Sequence, residues 1–199
     1  MSENRQAPAI PGPQTADFAL RNQDADFPET LRHVHPPVRE LLGRGDQTIM
    51  ADVSRLPGLA IVGGRRASEQ GQADARWFAR VASEHGLTVI SGLAHGIDTA
   101  AHEGALEGRG GTIAVLAHGR DHVYPRHNAG LLERIIRGHG AAVTEYPDGT
   151  PARPFQFPCR NRIIAGLARA VLVVEAAPRS GSLITARHAL DVGVSVFVV

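Results

Sequence analysis

The chain reads as an α/β protein: a doubly wound, Rossmann-like, mostly parallel sheet with helices on both faces. Apolar runs of strand length recur at residues 59–63, 87–91, 111–117, 141–145, 170–175 and 194–199. They do not alternate with polar residues, as expected of strands buried on both faces in a parallel sheet. Helical patterns fill the intervals, at 68–85, 97–109, 128–138, 161–167 and 182–192. Strand and helix in regular succession imply right-handed crossovers and a sheet covered on both sides.

The first of these strands ends in Gly63-Gly64-Arg65-Arg66, and the second in Ser91-Gly92-Leu93-Ala94-His95-Gly96. Residues 117–125, 146–160 and 177–181 follow the next three. All these loops fall at the carboxyl ends of the strands, the edge where open α/β sheets bind ligands. Ahead of this region, residues 27–59 are broken by Pro28, Pro36, Pro37 and Pro57. A lead-in segment over 24–58, with a short helix and an edge strand, is the expectation. Residues 1–23 are rich in Pro, Gln, Asn and Ala without apolar period, which predicts a disordered arm.

At 199 residues and 43% hydrophobic, residues 24–199 fit one domain with a real core. Net charge is +1, so no global field draws a polyanion. The local distribution says more. Between Asp148 and Glu175 lie Arg153, Arg160, Arg162 and Arg169 with no acidic residue, and the chain contains no lysine. Phosphate contacts would therefore use guanidinium forks. Cys159 is the only cysteine, which excludes an internal disulfide and suggests a reducing compartment. No apolar run approaches the ~18 residues of a membrane span, and the N-terminus lacks a signal pattern. A cytoplasmic protein with no membrane partner is expected.

The loop chemistry points to phosphate. Glycines at 63 and 64 permit close backbone approach, with Arg65 or Arg66 in reach of an anion. The pattern is not G-x-G-x-x-G, and no acidic residue follows about 20 positions on except Glu84, inside a helix, which disfavours a dinucleotide redox cofactor. Arg160-Asn161-Arg162 and Ser180-Gly181-Ser182 stand where helices begin, presenting free amides and a dipole to phosphate. Phe155 and Phe157 flank Gln156 within the basic segment, offering a platform for an unstacked base; alternation would turn one inward and one outward. Asp98 and His102 share a helical face, either as an acid–base pair or as a cap with internal bonding. His118, His122 and His127 match no zinc spacing. Neither Ser180 nor Ser182 has a general base at sequence level, since His188 lies off the face of Ser182. No catalytic residue, metal or cofactor is expected.

Longer motifs carry a resemblance. Residues 27–31 (FPETL), 62–68 (VGGRRAS), 91–102 (SGLAHGIDTAAH), Tyr124-Pro125, 157–167 (FPCRNRIIAGL) and 180–186 (SGSLITA) occur in one order from about Asp24 to Val199. Together they resemble the DNA-processing protein A (DprA/Smf) family, here as a short form without its flanking domains. The resemblance implies an extended Rossmann fold that binds single-stranded DNA, forms dimers and delivers the strand to RecA during natural transformation and recombination. It places the strand against Gly63, Gly64, Arg65, Arg66, Ser91, Gly92, His95, Arg153, Phe155, Phe157, Arg160, Asn161, Arg162, Ser180, Gly181 and Ser182. Where the family carries arginine or lysine, this chain has His95, a weaker cation near pH 7. Ala117 and Arg120 also depart from the family pattern, and its Pro-Gly segment after the last strand is absent. A neighbouring fold, that of the LOG-type phosphoribohydrolases, suggests the alternative of a nucleotide-processing enzyme or a nucleotide sensor. The catalytic glutamate of those enzymes has no counterpart after Thr185, where Ala186, Arg187 and His188 follow.

Overall fold

The computed structural model describes residues 16–55, 58–178 and 180–199. In chain order the elements are β1 (Ala16–Arg21), α1 (Thr30–His33), β2 (Glu40–Gly45), α2 (Thr48–Arg55), β3 (Leu59–Gly63), α3 (Glu69–Glu84), β4 (Val89–Ser91) and α4 (Ile97–Ala105). Then come β5 (Thr112–Val115), a 3-10 turn (Arg126–Asn128), α5 (Ala129–Arg137), β6 (Gly140–Thr144), α6 (Gln156–Leu167), β7 (Ala170–Val174), α7 (Gly181–Asp191) and β8 (Ser195–Val198).

The strands form one sheet in the order β1-β2-β6-β5-β4-β3-β7-β8. From β6 to β8 every pairing is parallel; β1 and β2 add an antiparallel extension beside β6. The doubly wound reading holds, because strands buried on both faces send alternate residues into two different cores. Ala60 and Val62, with Val171 and Val173, face a core built with Leu31, Ile163, Ile164 and Ala189 from α1, α6 and α7. Ile61, Leu172 and Val174 face the other way, onto Ala75, Ala79, Ala101 and Ala105 of α3 and α4. Ala114 and Ala142 meet Leu131, Leu132, Ile135 and Ile136 of α5. Small alanines on α3 and α4 let these helices pack closely on the sheet, and their larger apolar partners come from the strands.

Three expectations need correction. Residues 16–21 of the supposed arm are strand β1, in register with β2 from Ala16–Gly45 to Arg21–Glu40. Only Phe18 and Leu20 of that strand are buried, so its alternation is short and one-sided. The rest of the arm, 1–15, lies outside the described residues. Strand β2 is interior, held between β1 and β6, rather than at the edge. Helix α6 starts at Gln156, five residues before the expected Asn161. Pro158 occupies the first turn, where its missing N–H costs nothing. Among the described residues no helix is long and apolar enough to cross a membrane.

Candidate nucleic-acid interface

Neighbouring strands β3 and β7 send the chain to opposite faces, β3 into α3 and β7 into α7. This is the topological switch point of the sheet, and it leaves a crevice at the carboxyl ends of both strands. A cleft of about 650 Å³ fills it, lined by Gly63, Gly64, Arg65, Arg66, Phe157, Asn161, Ser180, Gly181 and Ser182 among others. Gly63 is required by close packing, since a Cβ there would lie 1.9 Å from the Val174 carbonyl oxygen. Most of the expected phosphate-binding loops therefore do converge.

The two carboxylates that line the cleft are already engaged. Glu175, at φ 51, accepts from the Ser68 amide at 2.9 Å and from the Ser68 hydroxyl at 2.5 Å. These bonds hold its pKa below the ordinary glutamate value, and they place a negative charge at the start of α3. That helix terminus is thereby closed to an external anion. Asp98 accepts from the amides of Gly92 (3.1 Å) and Ala94 (3.4 Å). Burial raises its pKa, while Arg160 and these amides oppose the rise. Helix α7 differs. Its N-cap Ser180 makes no side-chain bond to a helix amide, and its hydroxyl pairs with that of Ser182 at 2.6 Å. Asn161 steadies this turn, its side-chain amide donating to the Gly181 carbonyl at 3.0 Å. The start of α7 is thus the helix terminus that opens its amides into the cleft. Arg179, beside it, lies outside the described residues.

Several expected contact residues do other work. Arg160 is 3% exposed. Its guanidinium donates to the carbonyls of Gly92 (2.9 Å) and Val115, and to the Asn161 side-chain oxygen at 3.2 Å. Burial pushes its pKa down to about 10, with Asp98 opposing the shift, so it remains charged at pH 7. It borders the cleft, with Nη1 on the ends of β4 and β5 and Nε on Asn161. Arg162 leaves the site altogether. It forms a two-pronged pair with Glu145 (2.7 and 2.5 Å) and donates to the carbonyls of Pro36 and Cys159. Ser91 is fully buried, donating to the Ile61 carbonyl at 2.6 Å. Gly92 is buried against the Arg160 guanidinium, where a Cβ would come within 2.5 Å of it. Arg160, Ser91 and Gly92 pack together at the strand ends by the cleft, and Arg162 lies away from it.

On α4, Asp98 fastens the loop ahead of the helix through the Gly92 and Ala94 amides, and His102 bonds elsewhere. Thr112 donates its hydroxyl proton to the Val89 carbonyl (2.8 Å) and so accepts from His102 Nδ1 at 2.8 Å. Nε2 of His102 is then a bare lone pair, buried without a partner. Burial, reinforced by Arg160, drives the pKa of this imidazole down to about 3, and it stays neutral through the physiological range. His118 lies against the Gly119 carbonyl and His122 against Asp121, so the three loop histidines do not converge.

The exposed rim carries the chemistry left over. The Arg65 guanidinium carbon sits 5.1 Å from the centre of the Phe157 ring. Phe157 in turn lies 5.3 Å from the ring of Tyr124, at 57°. Arg153 and Phe155 are exposed just before α6. Because the segment is helical, Phe155 and Phe157 are not opposed as strand residues would be; Phe155 is in solvent and Phe157 is half-buried under Arg65. Arg153 N donates to the Gln156 side-chain oxygen at 2.5 Å, a return contact that fixes the start of α6. His95 is exposed and stacks on His127. Sequence reasoning passed over Tyr124 and His127 as contact residues. Their signal was position: both belong to the loop after β5, at the same edge as the glycine and arginine loops.

A sequence model described as "DNA recombination-mediator protein A" matches residues 18–199. The Smf protein of Synechocystis sp. is 43% identical over 180 residues, 89% of this chain and 44% of that protein. The crystal structure of DNA processing protein A from Streptococcus pneumoniae superposes with a TM-score of 0.82 at 38% identity, covering 93% of this chain and 62% of that one. A Helicobacter pylori DNA processing protein A structure, described for its single-stranded DNA binding mode, gives a TM-score of 0.81 at 26% identity, covering 93% and 81%. This chain spans about half the length of the relatives it matches.

Proposed function

The chain belongs to the DNA recombination-mediator protein A family (DprA/Smf), and from that premise we propose that it holds single-stranded DNA in and along the switch-point cleft without turning it over. One arrangement carries the reading: the Arg65–Phe157–Tyr124 stack stands beside the open amides of α7. The helix start suits a phosphate. The aromatic ledge suits a base of any identity, with Arg65 placed to contact the backbone between them. Arg66, Arg153, Phe155, Asn161, Ser180 and Ser182 complete the surface. Strand-holding rather than catalysis is supported by the cleft's carboxylates, Asp98 and Glu175. Both accept hydrogen bonds from the protein's own groups, which gives each a structural role in holding a loop.

Binding to a fluorescent oligo-dT tests this. With Arg65, Arg66 and Arg153 on phosphates, the slope of log K against log salt should be near −2, at about −0.7 per contact. Duplex of the same length should bind more weakly. A flat salt response or equal duplex affinity would sink the proposal.

The further properties of the family, dimer formation and delivery of the strand to RecA in recombination and natural transformation, are proposals for this chain. A docking surface is supported by the apolar side chains that α7 exposes, Leu183, Ile184 and Leu190, with Phe197 of β8 beside them. Sedimentation velocity at micromolar concentration is expected to show a dimer that dissociates in Phe197→Asp; a monomer throughout would remove the dimer.

A further inference from the structure

We propose that the stacked imidazoles of His95 and His127 form a proton-linked phosphate subsite where the single strand leaves the cleft. The inference rests on the strand-binding reading above and adds a path and a regulation to it.

The two rings lie 3.8 Å apart, 27° from parallel. They come from separate segments, His95 from the β4–α4 loop and His127 from the 3-10 turn before α5. Their meeting is enforced from beneath. The Asn128 side-chain amide donates to the Leu93 carbonyl and to Thr99 Oγ1, both at 2.9 Å. The Thr99 hydroxyl donates to the Ala94 carbonyl at 2.7 Å. Leu93 is fully buried at φ 57, a left-handed conformation uncommon for a residue of its kind. Its side chain anchors the loop while His95, two residues on, stands in solvent. Two segments are thus pinned together, and two exposed imidazoles sit at their junction.

The surrounding charges define what the pair can accept. Desolvation by the neighbouring ring and loops lowers the pKa of His95, and His127 from the 3-10 turn and Arg65 from the β3–α3 loop lower it further. On α4, Asp98 is turned inward to the Gly92 and Ala94 amides, and His102 is buried. Arg126, beside His127, is exposed and adds another cation. With the site empty, protonation of His95 is therefore disfavoured. A phosphodiester supplies the missing counter-charge, so it binds together with a proton. Like charges at stacking distance repel, so the first proton opposes a second. Arg65 links this subsite to the cleft, since it covers Phe157 and also acts on His95.

Oligo-dT affinity at constant ionic strength, measured from pH 8 to pH 6, tests the proposal. Wild type should bind about five- to tenfold tighter at pH 6, because a bound phosphodiester favours the protonated imidazole. His95→Gln and His127→Gln should each flatten the pH response, and His95→Arg should bind equally at both ends of the range. Calorimetry in buffers of different ionisation enthalpy should show proton uptake on binding at pH 6.5 that disappears in a His95→Gln variant that still binds oligo-dT at pH 8, which separates the effect from loss of structure. Equal wild-type affinity at pH 6 and 8, or an undiminished response in the double glutamine variant, overturns the subsite and leaves the strand-binding reading standing. Failure to bind oligo-dT at either pH overturns both.

Discussion

An Arg160→Leu variant should lose about 3–5 kcal/mol of unfolding free energy, the usual cost of breaking a buried charge arrangement by removing one partner. The guanidinium joins the ends of β4 and β5 through the carbonyls of Gly92 and Val115, and leucine leaves both acceptors buried and unpaired. Asp98 suffers as well. Arg160 opposes the burial-driven rise of its pKa, so the deletion strands a buried carboxylate. Backbone geometry has been fitted to the arginine, with Gly92 leaving room for the planar group. Lysine should recover only part of the loss, because a point charge on a flexible stem cannot reproduce a fork that serves two carbonyls and Asn161 together. Urea melts at pH 7 give the answer. A loss below about 1 kcal/mol, the level of an ordinary surface change, would mean that this guanidinium is not a structural joint.

Arg160 also shows where the sequence stops being readable. Strand β3 was legible to the residue because an apolar run buried on both faces carries the same pattern in the sequence and in space. The glycine loops were legible for a related reason, since a Cβ at Gly63 would lie 1.9 Å from the Val174 carbonyl oxygen and no side chain is tolerated there. Strand β1 was not, because two buried residues, Phe18 and Leu20, are too short a pattern to set against a polar context. Arginine fates were harder still. Arg65, Arg160 and Arg162 are equivalent in type and near related motifs. One is exposed over an aromatic ring, one tethers strand ends and one pairs with Glu145 on the far side. Which carbonyls lack a partner at the end of a parallel strand is a property of the assembled sheet, and no local pattern encodes it. The stack of His95 on His127 depends likewise on Asn128 reaching across to another loop.

On the strand-binding reading, the largest loss of affinity is expected from Phe157→Ala. Removing an aromatic platform from a stacked base costs about 1–3 kcal/mol, roughly 5- to 150-fold, and here it also removes the surface on which Arg65 rests. Arg65→Ala should weaken oligo-dT several-fold by a different route. It deletes a phosphate contact, so the salt slope should become shallower by about 0.7, whereas Phe157→Ala should leave the slope unchanged while lowering affinity at every salt concentration. The two substitutions should not add, because each dismantles the same cation–π contact at 5.1 Å and coupled neighbours show interaction energies of their own. The double variant should therefore fall short of the summed losses by about 0.5–1 kcal/mol. Tyr124→Ala, which removes only the ring that supports Phe157 from the side, should have the smallest effect of the set. If Phe157→Ala binds as tightly as the wild type, no base stacks on this ledge. If instead the losses add and both variants change the slope, Arg65 and Phe157 act independently, and the strand does not pass over their shared face.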